Sequence, residues 1–442
     1  RKFYIGLKLN ARLRMKSIFV LVLLLLNLGA AYAQEPSLTQ TISEIEPKLI
    51  EWRRDFHSHP ELGNQEVRTS RIIAAHLKTL GMNVQEHVAK TGVIGILIGD
   101  LPGPVMALRA DMDALPVTER TPLDFKSDVK VNYKGNETGV MHACGHDSHM
   151  AILMATAEVL SKHKKDIRGT VKFIFQPAEE GVFGEGIEFG ADLMVKEGAL
   201  RNPDVEVIFG LHIDSKISAG KIAYRPGPIM AGVDQFYIDV KGKQTHGARP
   251  WAGIDPISAA SQIVLGLNTI VSRSVDLVEN PAVVSVGSIH GGNRHNIIPE
   301  EVKLVGTIRT LDPEQRVLVH RRIIEVAENI AKSAGAEATV FIENGYPVTV
   351  NDEALTKKML PSLEKAIGQN LVFEKPITLG AEDFSYFARE VPGFFFFLGG
   401  RESDKNSLDV AAHHTPDFFL DESGFINGVK AFCQLIVDYP NK

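Results

Sequence analysis

Cysteine is scarce in this chain: Cys144 and Cys433 are the only two in 442 residues. That excludes a small disulfide-stapled fold, and a chain of this length needs no disulfide to complete its core. Basic residues do not dominate either, at 48 against 54 acidic, giving a formal net charge of −6. With no basic stripe and no aromatic–basic alternation, a general nucleic-acid binder is excluded. Internal repeats and low-complexity tracts are missing, which rules out solenoids and long tails. Hydrophobic content of 44% and charge content of 23% are ordinary for a folded protein. A length of 442 residues implies two domains rather than one core.

The long apolar run is N-terminal. From Met15, MKSIFVLVLLLLNLGAAYAQ carries one Lys, a Leu- and Val-rich stretch and Ala-Tyr-Ala ending at Ala33. That is the order of a secretory signal peptide, with cleavage expected between Ala33 and Gln34. The run falls short of the ~20 residues of a membrane span, and no later segment reads as one. Residues 1–33 are thus expected to be a signal peptide with an extended N-terminus, translation starting at Met15. The mature protein is expected to be exported, to a bacterial periplasm or the medium.

From residue 38 the pattern alternates helix and strand. VIGILIG (93–99), VMALRAD (105–111), TVKFIF (170–175) and VEVIFGL (205–211) read as strands, the last two near-continuous apolar runs of the form buried on both faces. Between them DSHMAILMATAEVLSKHKK is helical, with Asp147 as its expected cap. Strands alternating with helices give an α/β class. From Met230 the order becomes β-α-β-β-α-β, ending near Gly345, which reads as a ferredoxin-like insert. The first unit then resumes with a helix, FFFFLGG (394–400) and a last helix after Asp421. The expected layout is an α/β domain at 38–229 and 345–440 around a satellite at 230–344.

Residues able to bind a metal ion collect at the ends of these strands. Cys144 and His146 form a C-x-H pair before the helix; Glu179 and Glu180 follow one buried strand; His212 ends the next; His413 and His414 follow FFFFLGG. In open α/β sheets ligands bind at the carboxyl ends of strands, so these motifs are expected to meet. Thiolate, imidazole and carboxylate together suit a zinc-like ion. One Cys, three His and one Glu exceed a four-ligand site, which points to two ions sharing ligands, with a remaining Glu as proton acceptor.

The chain resembles the M20 metallopeptidase family, in its amidohydrolase branch of hippurate hydrolases, N-acyl-amino-acid hydrolases and plant auxin-conjugate (IAA-amino acid) hydrolases. The resemblance is carried by RRDFHSHPELGNQE (53–66), ALRADMDALPV (107–117), MHACGHDSHMAILM (141–154), FQPAEEG (175–181), GLHID (210–214), THGARPWAGIDPI (245–257), GGNRHNIIPEEVKLVGTIRTL (291–311), LGAEDFSYF (379–387) and HHTPDF (413–418). It implies a zinc-peptidase-like catalytic domain, a mixed sheet flanked by helices, with the satellite as a dimerisation domain. It also implies two divalent ions (Zn, Mn, Co or Ni) held by Cys144, His146, Glu180, His212 and His414, with Cys144 bridging. Glu179 matches the general base. His246 matches a histidine that polarises the scissile carbonyl, in some members across a dimer interface. Asn296 and Arg309 are candidate substrate-carboxylate ligands, and Asp111 and Asp113 are expected behind the metal ligands. The substrates implied are N-acyl amino acids or small peptides. His57, His59 and His295 receive no role.

Overall fold

The computed structural model describes residues 36–181 and 188–441; the expected signal peptide lies outside them. Two large sheets draw on strands that run, in chain order, β1 (Asn83–Val88), β2 (Gly92–Ile98), β3 (Leu101–Asp111), β4 (Arg168–Gln176), β5 (Val207–Ser218), β6 (Ile222–Tyr224), β7 (Gly232–Lys241), β8 (Val283–Gly291), β9 (Glu301–Thr310), β10 (Glu337–Asn344), β11 (Val372–Glu374) and β12 (Gly393–Arg401). The eight-stranded sheet has the order β1-β2-β4-β3-β5-β12-β6-β11. Its centre, β4-β3-β5-β12, is parallel, while β1, β2 and the β12–β6 pairing are antiparallel. This is the expected mixed sheet.

Helices cover both faces, and the phenylalanine run at 394–397 shows why the central strands are largely apolar. Successive side chains of a strand point to opposite faces. Phe395 and Phe397 pack with Phe384, Ile174 and Ile208 on one side. Phe396, on the other, meets Phe432 with ring centroids 5.8 Å apart. Two helices, Leu38–Ser58 and Val67–Thr79, precede α1 (His146–Lys162), α2 (Pro256–Ser274), α3 (Pro313–Ser333), α4 (Glu353–Ile367) and α5 (Phe425–Asp438), and Phe432 belongs to the last of these. Each such buried side chain contributes roughly 1.5–3 kcal/mol.

The four-stranded sheet, β8-β9-β7-β10, is antiparallel. Along β7 and β9 buried and more exposed residues alternate, as a sheet covered on one face requires. Phe236, Ile238, Val240, Leu304 and Ile308 supply the covered face, against Ile263 and Leu267 of α2 and Val319 and Ile323 of α3. Asp255 and Asp312 cap these helices as their Asp-Pro starts suggest, accepting from Ile257 N and from Gln315 N. Residues 45–442 form one unit containing both sheets. Among the described residues no helix is long and apolar enough to cross a membrane. Both cysteines are free and buried.

The start of α1 corrects one expectation. The residue before the helix is Gly145 at φ +90°, not Asp147, which lies inside the first turn. Glycine is needed there twice over: the conformation is left-handed, and an added Cβ would sit 2.3 Å from Ile213 Cγ2. Asp147 turns instead to Arg53 (3.1 Å) and His57 (2.7 Å).

Candidate metal centre

The carboxyl ends of β3, β4 and β5 and the loop after β12 converge on one cleft. Cys144, Glu179, Glu180, His212, His414 and Arg309 all line its cavity of about 570 Å³. Cys144, His146 and His212 each present a donor atom within 4.8 Å of the others. Cys144, Glu180 and His414 form a second such group, so the two groups share the Cys144 sulfur. His212 Nε2 and His414 Nε2 lie 3.4 and 3.3 Å from that sulfur, and His414 Nε2 is 3.0 Å from Glu180 Oε1.

Backbone contacts aim these side chains. His212 donates its Nδ1 proton to the Ile213 carbonyl (2.6 Å), which leaves a lone pair on Nε2 facing the cluster. His146 donates Nδ1–H to the Asp113 carbonyl (2.9 Å), while its buried Nε2 has no hydrogen-bond partner. Burial opposes charge on His146, but Asp111, Asp113 and Glu180 prevail and raise it to about 10. The field that holds a proton there would equally hold a cation. Burial pushes the Cys144 thiol well up, and Glu180, Glu179 and Asp111 push it further, so thiolate at this position needs a positive partner. Lone pair, unpartnered nitrogen and acid-ringed sulfur together fit a pair of divalent ions.

The Glu179–Glu180 pair sits on a tight turn after β4. Ala178 is at φ +53°, strained for a residue with a side chain. Two carboxylates hold the turn: Glu66 Oε1 accepts from Ala178 N (2.9 Å), and the two oxygens of Asp113 accept from Glu179 N and Glu180 N (3.0 Å each). Asp113 thereby orients Glu179, Glu180 and His146 at once. The two acids diverge electrostatically. Burial, then Glu382, Glu180 and Asp383, holds Glu179 well above the usual carboxylate range. For Glu180 burial also works upward, but His414 and His146 outweigh it and the net shift is down.

Arg109, fully buried, anchors the acids beneath. It donates to Asp111 Oδ2 (2.8 Å), Asp383 Oδ1 (3.0 Å) and Gln176 Oε1 (2.8 Å), and lies 2.9 Å from Glu382 Oε1. Asp111 also accepts from His149 Nδ1 (2.6 Å), whose other nitrogen accepts from Ile213 N. Both nitrogens of His149 are therefore engaged within the protein. His413 is similar: Nε2 accepts from Ser215 N (3.2 Å), leaving Nδ1–H toward the Cys144 sulfur at 3.6 Å. Sequence reasoning named none of Glu66, Arg109, Glu382 and Asp383, although all lie in the motif stretches. Their signal was a charged residue inside an apolar strand or turn.

The remaining candidates separate. Arg309 lines the cleft half-buried, bonded to Thr307 Oγ1 and the Ile308 carbonyl, with no ion pair among the described residues. His246 and Asn296 do not line it. His246 is exposed on a two-stranded ribbon, paired with Ile297, and Asn296 follows on the same ribbon's partner loop with a buried Oδ1 lacking a partner. His57 is buried between Asp147 and Glu119; burial and Arg53 oppose its charge, the two acids prevail, and its pKa is raised. His59 is half exposed against Asp55, His295 is exposed, and buried His142 has neither nitrogen bonded.

The family model described as peptidase family M20/M25/M40 matches residues 107–438. The chain belongs to this family. This M20 peptidase is 41% identical over 407 residues to thermostable carboxypeptidase 1 of Saccharolobus solfataricus, covering 92% of this chain and 98% of that one. It is 38% identical over 393 residues to N-acetyl-L-cysteine deacetylase of Bacillus subtilis, covering 89% and 88%. A solved Bacillus subtilis structure described as a dinuclear metal-binding peptidase of the M20 family superposes with a TM-score of 0.75 at 35% identity, covering 90% and 99%. The motif resemblance is borne out, and this M20 peptidase is a metal-dependent amide or peptide hydrolase.

Proposed function

We propose that the protein hydrolyses the amide bond of N-acyl amino acids, such as N-acetyl or N-benzoyl conjugates, releasing a carboxylic acid and a free amino acid. The observation that carries this reading is the pairing, in one cavity, of the Cys144-centred donor cluster and Glu179 with the unpaired Arg309 guanidinium. An amide with a carboxylate nearby offers a group to each, and Arg suits a carboxylate through its forked donors. Cys144, His146, Glu180, His212 and His414 would hold two divalent ions, which when bound supply Lewis acidity and lower the pKa of water. Asp111 and Asp113 fix the ligands from behind. Glu179 accepts a proton from the attacking water; as the new C–O bond forms and the C–N bond breaks, it returns that proton to the leaving amine.

A peptide with a free carboxy terminus presents the same amide and carboxylate, and the carboxypeptidase relative favours that second reading. The test is a side-by-side panel of N-acetyl and N-benzoyl amino acids against dipeptides, with Mn, Zn or Co supplied. Acyl amino acids turned over with higher kcat/KM support the first reading; a preference for dipeptides overturns it.

We further infer a homodimer in which His246 and Asn296 act on the site of the partner subunit, since both lie exposed or unpartnered away from their own cleft. Mixing inactive His246→Ala and Glu179→Gln proteins under subunit exchange should restore about a quarter of the sites in a two-fold dimer; no recovery despite exchange would refute it. Export follows from the leader at Met15–Ala33, and amino-terminal sequencing of the mature protein should begin at Gln34. A retained leader in a cytoplasmic fraction would exclude it.

A further inference from the structure

We propose that Tyr346 is a positioning residue for hydrolysis, tying the turn that presents Glu179 to the strand pair that presents Arg309. The proposal rests on the hydrolase reading of the cleft. Tyr346 lies where the chain returns from β10 to the short strand Thr349–Asn351, which pairs with Gly227–Met230. Its hydroxyl donates to the Glu179 carbonyl at 2.5 Å. Its own carbonyl accepts from Val233 N at 3.0 Å. Val233 sits directly opposite Arg309 in the β7–β9 ladder. One residue therefore touches the backbone of the proton acceptor and, through Val233, the strand register of Arg309.

Both ends of the tie are held by further contacts. Beside Tyr346, Gly345 N donates to Asp234 Oδ1 (3.0 Å), and Asp234 is held by Arg316 and by His320 (2.7 Å) from α3. The Tyr346 ring lies edge-on to Phe189 and Tyr386, with centroids 6.4 and 6.3 Å away. Around the turn, Asp113 and Glu66 take the amides of residues 178, 179 and 180, and Tyr346 takes the carbonyl between them. With burial and nearby Asp383 and Glu179 keeping the phenol protonated, the hydroxyl stays a donor. A hydroxyl serving only to fill a polar gap would not need to connect these two elements; this one closes a path from Arg309 through Val233 to Glu179.

The test uses full-length mature protein loaded with Mn or Zn, as wild type, Tyr346→Phe, Arg309→Lys and the double variant. Hydrogen exchange of the Glu179 and Glu180 amides should quicken by about 2- to 10-fold in Tyr346→Phe, the change expected for one lost hydrogen bond. Exchange elsewhere and the bound metal should stay as in wild type. On N-acetyl amino acids kcat should fall about 10-fold with KM nearly constant, since misplacement of a reacting group acts on the chemical step. The double variant should lose less than the product of the two single losses. Wild-type exchange in the turn, or strictly multiplicative losses, would overturn the proposal. So would a fall in kcat accompanied by metal loss or by faster exchange throughout, which would mark a merely structural role. If wild type hydrolyses neither acyl amino acids nor dipeptides, the hydrolase reading fails by itself, and unchanged exchange in the turn would still refute the tie.

Discussion

Asp113→Asn replaces one acceptor oxygen by a donor at the point where three site residues are fixed. In the native structure the two oxygens take the amides of Glu179 and Glu180 at 3.0 Å each, and the main-chain carbonyl takes His146. Hydrogen bonds to a charged acceptor are worth about 1.5–3 kcal/mol each. The variant keeps one, weakened, and sets the new NH2 against the other amide. A loss of about 2–4 kcal/mol, centred on the turn, is expected. Because the turn is already strained at Ala178, the release should be local, and the chain should remain folded. Metal affinity should fall about 10- to 100-fold, the usual effect of removing a group that orients ligands. Competition against a chelator of known strength at neutral pH, with circular dichroism as a control for folding, measures this directly. Affinity within about 2-fold of wild type would show that Asp113 does not organise the site.

Glu179→Gln should keep metal and lose about 10²–10⁴ in kcat, whereas Glu180→Gln should lose metal; equal metal loss in both, by elemental analysis, would undo the division of roles. In the four-stranded sheet, burial works against charge on Asp234, but His320 and Arg316 prevail and lower its carboxyl from 3.8 to about 2. A folded pKa below the unfolded one means stability that is full above about pH 4 and lost as pH falls toward 2. Asp234→Asn should therefore flatten the acid limb of a denaturation-versus-pH curve over that window, and an unchanged limb would contradict the assignment.

The parts of the fold that were legible in the sequence are those set by local pattern. β4, β5 and β12 carry near-continuous apolar runs because helices cover both faces, and the Asp-Pro starts of α2 and α3 are visible in four residues. The donor cluster was legible because its members end successive strands, so sheet order alone brings them together. What stayed hidden depends on contacts between distant segments. Arg109 meets Asp383 across 274 positions, and Tyr346 meets Glu179 across 167. Nothing in the periodicity near Tyr346 marks its hydroxyl as more than a surface group. The start of α1 was misread for a related reason: Asp147 has the chemistry of a cap, but a buried Arg53–His57 pair competes for it and Gly145 supplies the turn.

The acids under the cleft have a thermodynamic consequence. Asp111, Glu382 and Asp383 share one fully buried guanidinium, Arg109, and Glu179 lies close to Glu382 and Asp383. Interiors tolerate such a surplus only when bound protons or a positive partner offset it. The bound ions would then be counter-ions of the core as well as reagents, and folding and loading would be linked equilibria. At 100 times the dissociation constant a ligand that binds only the folded state adds about 2.7 kcal/mol. A chelator should accordingly lower the melting temperature as well as abolish turnover, and the protein's thermal stability should itself report how much metal its surroundings contain.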